Sequence, residues 1–180
     1  MSRIQVGVMG SAADLGYSEA VARLAEEVGR EVALAGCALV FGAEKDGDSL
    51  STTAARGAKS VGGTTVGITY GKGLDVYDNS VADVVIACGM ERGGGREFVV
   101  AICSHVMIAI SGGSGTLNEM SVAYQSDIPV IGIVGCGGWS QEMSGRAFDT
   151  RRLHLAVKPA STAKEAVRLA LEAIREGGEH

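Results

Sequence analysis

The chain contains no cluster of basic residues: 16 Lys and Arg are outnumbered by 21 Asp and Glu, for a formal net charge of -5. A nucleic-acid or anionic-lipid partner needs a positive stripe, so neither is expected. Proline is nearly absent, at 2 residues. The four cysteines, Cys37, Cys88, Cys103 and Cys136, form no C-x-x-C pair. Cys37 and Cys103 lie among apolar neighbours, which suits buried free thiols in a reducing compartment. His105, His154 and His180 have no metal-ligand spacing, and H-E-x-x-H does not occur. No metal and no cofactor are therefore expected. After Met1-Ser2-Arg3 comes an apolar run too short for a signal peptide or a membrane span. It is expected to be a first strand, in a cytoplasmic protein with no membrane contact.

The 27 glycines follow no three-residue period, and no linker, repeat or low-complexity tract interrupts the chain. With 46% hydrophobic residues and a mean hydropathy of +0.20, the 180 residues can enclose one core. Apolar patterning predicts strands at residues 4–9, 37–41, 64–69, 83–88, 105–110 and 129–134, and a last one at 153–157. Between them the spacing predicts helices, among them 95–104, 116–125 and 162–175. Several strands are continuous apolar runs, as in parallel strands buried on both faces. The expected fold is α/β, one Rossmann-like three-layer domain over residues 1–180. Its parallel sheet should have about six or seven strands, with 4–9, 105–110 and 129–134 central.

In such a sheet ligands bind beyond the carboxyl ends of the strands. The segment Ser111-Gly112-Gly113-Ser114-Gly115-Thr116 joins a strand to a helix there. Its glycines let a ligand approach the backbone, and the amides opening the helix favour a phosphate. A tight glycine turn is the plain alternative. Glu119 has two readings as well. Thr116-Leu117-Asn118-Glu119 matches the T-x-x-E capping box, or else Glu119 is a carboxylate beside a bound phosphate. Arg96, in the first turn of its helix, either snorkels to the helix end or projects into the cleft. In residues 135–140, Trp139 either walls the cleft or sits in an ordinary glycine turn.

The run from Ser111 to Glu119 resembles the P-G-G-x-G-T-x-x-E signature of the LOG ("lonely guy") family, often mislabelled as lysine decarboxylases. Arg96 precedes Gly112 by sixteen residues, the spacing of that family's signature arginine. Gly10-Ser11 is similar to its first phosphate-side loop, and Ala55-Arg56-Gly57-Ala58 to its A-x-G-A helix. The stretch from Asn79 to Cys88-Gly89-Met90 resembles a branch that includes molybdenum-cofactor carrier-like proteins. LOG enzymes are phosphoribohydrolases that cleave nucleoside 5′-monophosphates to base and ribose 5-phosphate. The resemblance implies that Gly10, Ser11, Gly112, Gly113, Ser114, Gly115 and Thr116 hold the phosphate. Glu119 would stabilise oxocarbenium charge and Arg96 would orient the substrate. It also implies a homodimer, for which Ala54, Ala55, Ala58, Met120 and Tyr124 offer apolar helix faces.

The sequence departs from the family in three places. Ser111 replaces proline, and Arg96-Glu97 replaces Arg-Lys. The loop at residues 42–49 carries Glu44, Asp46 and Asp48 where glycines are usual. Glu97 is spaced with Ala101 and Ser104, away from Arg96, and the acidic loop is expected on the solvated surface. Decarboxylation of lysine is excluded on chemical grounds. It requires pyridoxal phosphate on a lysine, and none of the five lysines lies in a motif near the phosphate loop. Two functions remain. The first, and the preferred reading of the sequence, is a phosphoribohydrolase, supported by Arg96 and Glu119 at family spacing. The other is a non-enzymatic carrier or sensor of a phosphorylated pterin or nucleotide, favoured by the strand-four region and the missing lysine.

Overall fold

The computed structural model describes residues 3–91 and 95–177. Seven strands form one sheet: β1 (Gln5–Gly10), β2 (Ala38–Gly42), β3 (Thr64–Thr69), β4 (Val84–Ala87), β5 (Val106–Ile110), β6 (Val130–Ile133) and β7 (Lys158–Ala160). Their order is β4-β3-β2-β1-β5-β6-β7, and every pairing is parallel. The α/β class and strand number therefore agree with the sequence reading. The placement of β6 does not: it lies next to the edge strand, and β2, β1 and β5 occupy the middle. The segment at 153–157 also differs. Leu153–Leu155 is a single 3-10 turn, and the last strand follows at Lys158–Ala160. Pro159 has no N–H to donate, which an edge position tolerates.

Helices cover both faces. On one lie α1 (Glu19–Leu34), α2 (Leu50–Ser60) and α6 (Ala163–Gly177), packed with Val6, Val8, Leu39 and Ile108. On the other lie α3 (Arg96–Ile102) and α4 (Ser114–Gln125), packed with Met9, Val40, Met107 and Ala109. Alternate residues of β1 and β5 thus enter opposite cores, as strands buried on both faces require.

Helices α1 and α2 meet backbone to backbone. A Cβ on Gly29 would fall 1.7 Å from the Ala54 carbonyl oxygen, and one on Gly57 would fall 1.9 Å from that of Glu26. Ala54, at this contact, and Ala55, Ala58, Met120 and Tyr124 are all buried within the chain. The apolar faces expected to serve a dimer are thus occupied internally. Large apolar side chains are exposed elsewhere, at Val84, Ile86, Phe98 and Ile102. No helix among the described residues is long and apolar enough to cross a membrane.

Candidate functional site at the strand-order reversal

From β1 to β4 the chain fills one half of the sheet, then returns to place β5 on the other side of β1. The helices that follow β1 and β5 leave on opposite faces, so a crevice opens between the two strand ends. Gly10 and Ile110, the last residues of these strands, are register partners. A cavity of about 550 Å³ occupies the crevice. Its walls come from Gly10, the loops after β1 and β2, the start of α3 and the start of α4.

The glycine turn after β5 is tightly specified. Ser111 and Gly112 both have positive φ, 56° and 101°. A Cβ on Gly112 would stand 2.4 Å from Thr116 Cβ. The Gly112 amide donates to Ser11 Oγ at 2.9 Å, and the Ser11 hydroxyl donates to Ser111 Oγ at 3.2 Å. Ser11 therefore ties the two strand ends together. A short helix, α5 (Gly138–Met143), absent from the sequence reading, braces the turn. The Trp139 and Ser140 amides donate to the carbonyls of Gly112 and Ser111, at 3.0 and 2.9 Å. Trp139 does not line the cavity.

Helix α4 starts at Ser114, two residues earlier than its apolar pattern indicates, with Gly113 as N-cap and no side-chain cap. Its first intrahelical bond is Leu117 N to Gly113 O, at 3.1 Å. The amides of Ser114, Gly115 and Thr116 precede that bond and have no intrahelical acceptor, so the positive end of the helix lies at the cavity wall. Thr116 sits inside the helix and is buried against Gly112, so T-x-x-E is not a capping box here.

Glu119 instead lines the cavity, 6% exposed, and accepts no hydrogen bond from the described residues. Burial pushes its carboxyl up to about 8; Arg96 opposes the shift, while Glu97 and Glu44 reinforce it. At neutral pH the group is mostly protonated.

Arg96 opens α3 and faces the same cavity, 8% exposed. Its Nη1 donates to Glu44 Oε1 at 2.7 Å, and its Nη2 is 4.0 Å from Glu97 Oε1. The guanidinium lies against Gly42, where a Cβ would be 3.3 Å from Cζ, and 5.6 Å from the centre of the Tyr70 ring. The buried Nε has no hydrogen-bond partner among the described residues.

Two acids break the sequence expectation. Glu97, expected to point away, is 3% exposed and lines the cavity, because Ala101 and Ser104 on its face are buried too. Glu44, assigned to a solvated loop, is buried against Arg96. The rest of that loop is also anchored. Asp48 pairs with Arg56 at 2.9 Å, Asp46 accepts from the Tyr70 hydroxyl at 2.9 Å, and Ser49 caps α2. One signal in the sequence pointed to Glu44: it lies two residues past the end of a fully apolar strand. Among the described residues no group of three or more His, Cys, Asp or Glu is arranged to hold a metal.

The parallel order, the reversal at β1 and the glycine turn feeding a helix define a Rossmann-like ligand-binding protein. The chain belongs to the SLOG cluster4 family, whose model matches residues 3–167, in keeping with the LOG resemblance of its motifs. An uncharacterised protein of Archaeoglobus fulgidus is 33% identical over 123 residues, 68% of this chain and 75% of that one. Among solved structures, TM1055 superposes with a TM-score of 0.82 at 27% identity, covering 94% of this chain and 99% of the other. The molybdenum cofactor binding protein of Rippkaea orientalis and the molybdenum cofactor carrier protein of Chlamydomonas reinhardtii each give 0.79 at 26% identity. Each covers 97% of this chain and 99% of the other.

Proposed function

We propose that the crevice binds a phosphorylated pterin or nucleotide and holds it without cleaving it. The phosphate rests on the amides of residues 114–116, and the ring system extends toward Arg96, Glu97 and Glu119. The observation that carries this reading is the state of the two would-be catalytic side chains. Arg96 is the one cation lining the cavity among the described residues, and Glu44 already engages it at 2.7 Å. Glu119 is held largely uncharged, so it lacks the anion that would stabilise an oxocarbenium. A neutral carboxyl can still donate and accept hydrogen bonds, and beside a phosphate it avoids like-charge repulsion. The structural likeness to proteins named for binding and carrying molybdenum cofactor supports the same class of ligand.

A phosphoribohydrolase is the second reading. It is favoured by the convergence of Arg96 and Glu119 on one cavity, since a buried carboxyl with a raised pKa can also serve as a general acid. Incubation with AMP, GMP and other nucleoside monophosphates, assayed for free base and ribose 5-phosphate, separates the two. The carrier reading expects saturable binding and no product. Turnover on any monophosphate overturns it in favour of the hydrolase.

A further inference from the structure

The first two turns of α4 stand between two cavities. Ser114 and Asn118 line the crevice described above, and they also line a second cavity of about 610 Å³. On the helix side this second cavity is bounded by Ser114, Leu117, Asn118 and Ser121. Their i, i+3, i+4, i+7 spacing makes them one stripe of the helix. The opposite wall is the last residue of α5, Met143, and the segment after it, with Arg146 and Phe148.

That wall is held in place. The Gly145 amide donates to the Val157 carbonyl at 2.7 Å, and Val157 N donates to Arg146 O at 2.9 Å. The Phe148 ring lies 5.3 Å from that of Tyr124, centre to centre. Two neighbouring arginines are engaged: Arg151 with Asp149, and Arg152 with Asp127 at 2.8 Å. Arg146 is exposed and pairs with no acid among the described residues. The second cavity therefore combines an apolar floor (Leu117, Met143, Phe148) with an uncommitted guanidinium and the polar groups of Ser121 and Asn118.

We propose that this second cavity receives the distal half of a two-part ligand, a dinucleotide joined by a pyrophosphate. The inference rests on the phosphate reading of α4 given above. One nucleotide occupies the crevice with its phosphate on the amides of residues 114–116. The pyrophosphate passes the start of α4 beside Ser114, and its second phosphate is drawn to Arg146. The distal ring lies on Phe148, Met143 and Leu117. Charge complementarity selects this occupant, because the helix start and Arg146 are both anion-seeking and lie on either side of the same turn. A nucleoside monophosphate satisfies only the first of them.

Calorimetric titration of the full chain with AMP and with diadenosine 5′,5′-diphosphate tests the proposal. The dinucleotide should bind at least about ten-fold more tightly than AMP. Arg146→Ala should remove that advantage and leave AMP affinity unchanged, and Arg146→Lys should keep part of it. Ser121→Leu, which fills the cavity without altering charge, should also remove it. Equal affinities for the two ligands, or an Arg146→Ala variant weakened alike toward both, overturns the second site and leaves the crevice reading standing. Absence of binding by either ligand overturns the second site and the nucleotide form of the crevice reading, leaving a pterin as its only occupant.

Discussion

Glu44, two residues beyond the end of β2, and Arg96, the first residue of α3, form a buried ion pair of 2.7 Å across the mouth of the crevice. The pair neutralises the one cation that lines the crevice among the described residues. A ligand that needs Arg96 must compete with a carboxylate already in place.

Glu44→Gln should therefore strengthen binding of a phosphorylated ligand several-fold and weaken the ligand-free protein. Loss of one partner from a buried pair is costly, but Glu97 and Glu119 remain near the guanidinium to limit the damage. The expected loss is about 1–2 kcal/mol. Urea denaturation with and without ligand measures both effects. A variant of unchanged stability and unchanged affinity would show that the pair is immaterial.

The Glu119 carboxyl gives the protein a pH signature. Its pKa is raised from 4.5 to about 8 on folding, so the native state holds a proton that the unfolded chain has released. Its contribution to stability is full below pH 4.5 and is lost as pH rises toward 8. Glu119→Gln removes that slope. The variant should gain roughly 1–4 kcal/mol over the parent at pH 8 and little at pH 4.5. Denaturation midpoints at the two pH values decide it, and parallel losses in both proteins would assign Glu119 an ordinary pKa.

Ser11→Ala removes the hydroxyl that accepts from the Gly112 amide and donates to Ser111. The expected cost is about 1 kcal/mol in stability. Affinity for inorganic phosphate or a monophosphate should also fall, because the turn that presents the α4 amides loses its tie to β1. A stability loss with intact phosphate affinity would place the anion elsewhere.

At the α1–α2 crossing, Gly57→Ala places a methyl group 1.9 Å from a backbone oxygen. The helices must separate, which costs at least about 1–3 kcal/mol. Gly47→Ala, with nothing within 4 Å, is the control and should be nearly neutral. Thermal melts of the two variants make the comparison.

Much of this architecture was legible because its signals are local. β1 and β5 are apolar runs that could only be buried on both faces, and the glycine turn is visible as composition. Sheet order is not local: nothing within residues 129–134 distinguishes a middle strand from one beside the edge. In the site, Arg96 and Glu119 were found through their spacing from the glycine turn. Glu97 was not, since a seven-residue helix offers too few turns for periodicity to separate an inner from an outer face. Glu44 was missed because a run of acids resembles a solvated loop, and its burial depends on an arginine 52 positions away. T-x-x-E was ambiguous until the start of α4 was known. Helix formation begins at Ser114 because the positive-φ pair before it turns the chain sharply.

The hydrogen bonds that fix the glycine turn reach Ser11, near the start of the chain, and Trp139 and Ser140, well past its middle. During synthesis, no fragment ending before α5 can complete the ligand-binding floor, even if five or six strands have already emerged. Ligand capacity thus arrives late and all at once, and what binds there stabilises only the finished chain. If the crevice holds the proposed ligand, its occupancy would favour complete copies over truncated ones, which lack the α5 brace of the glycine turn.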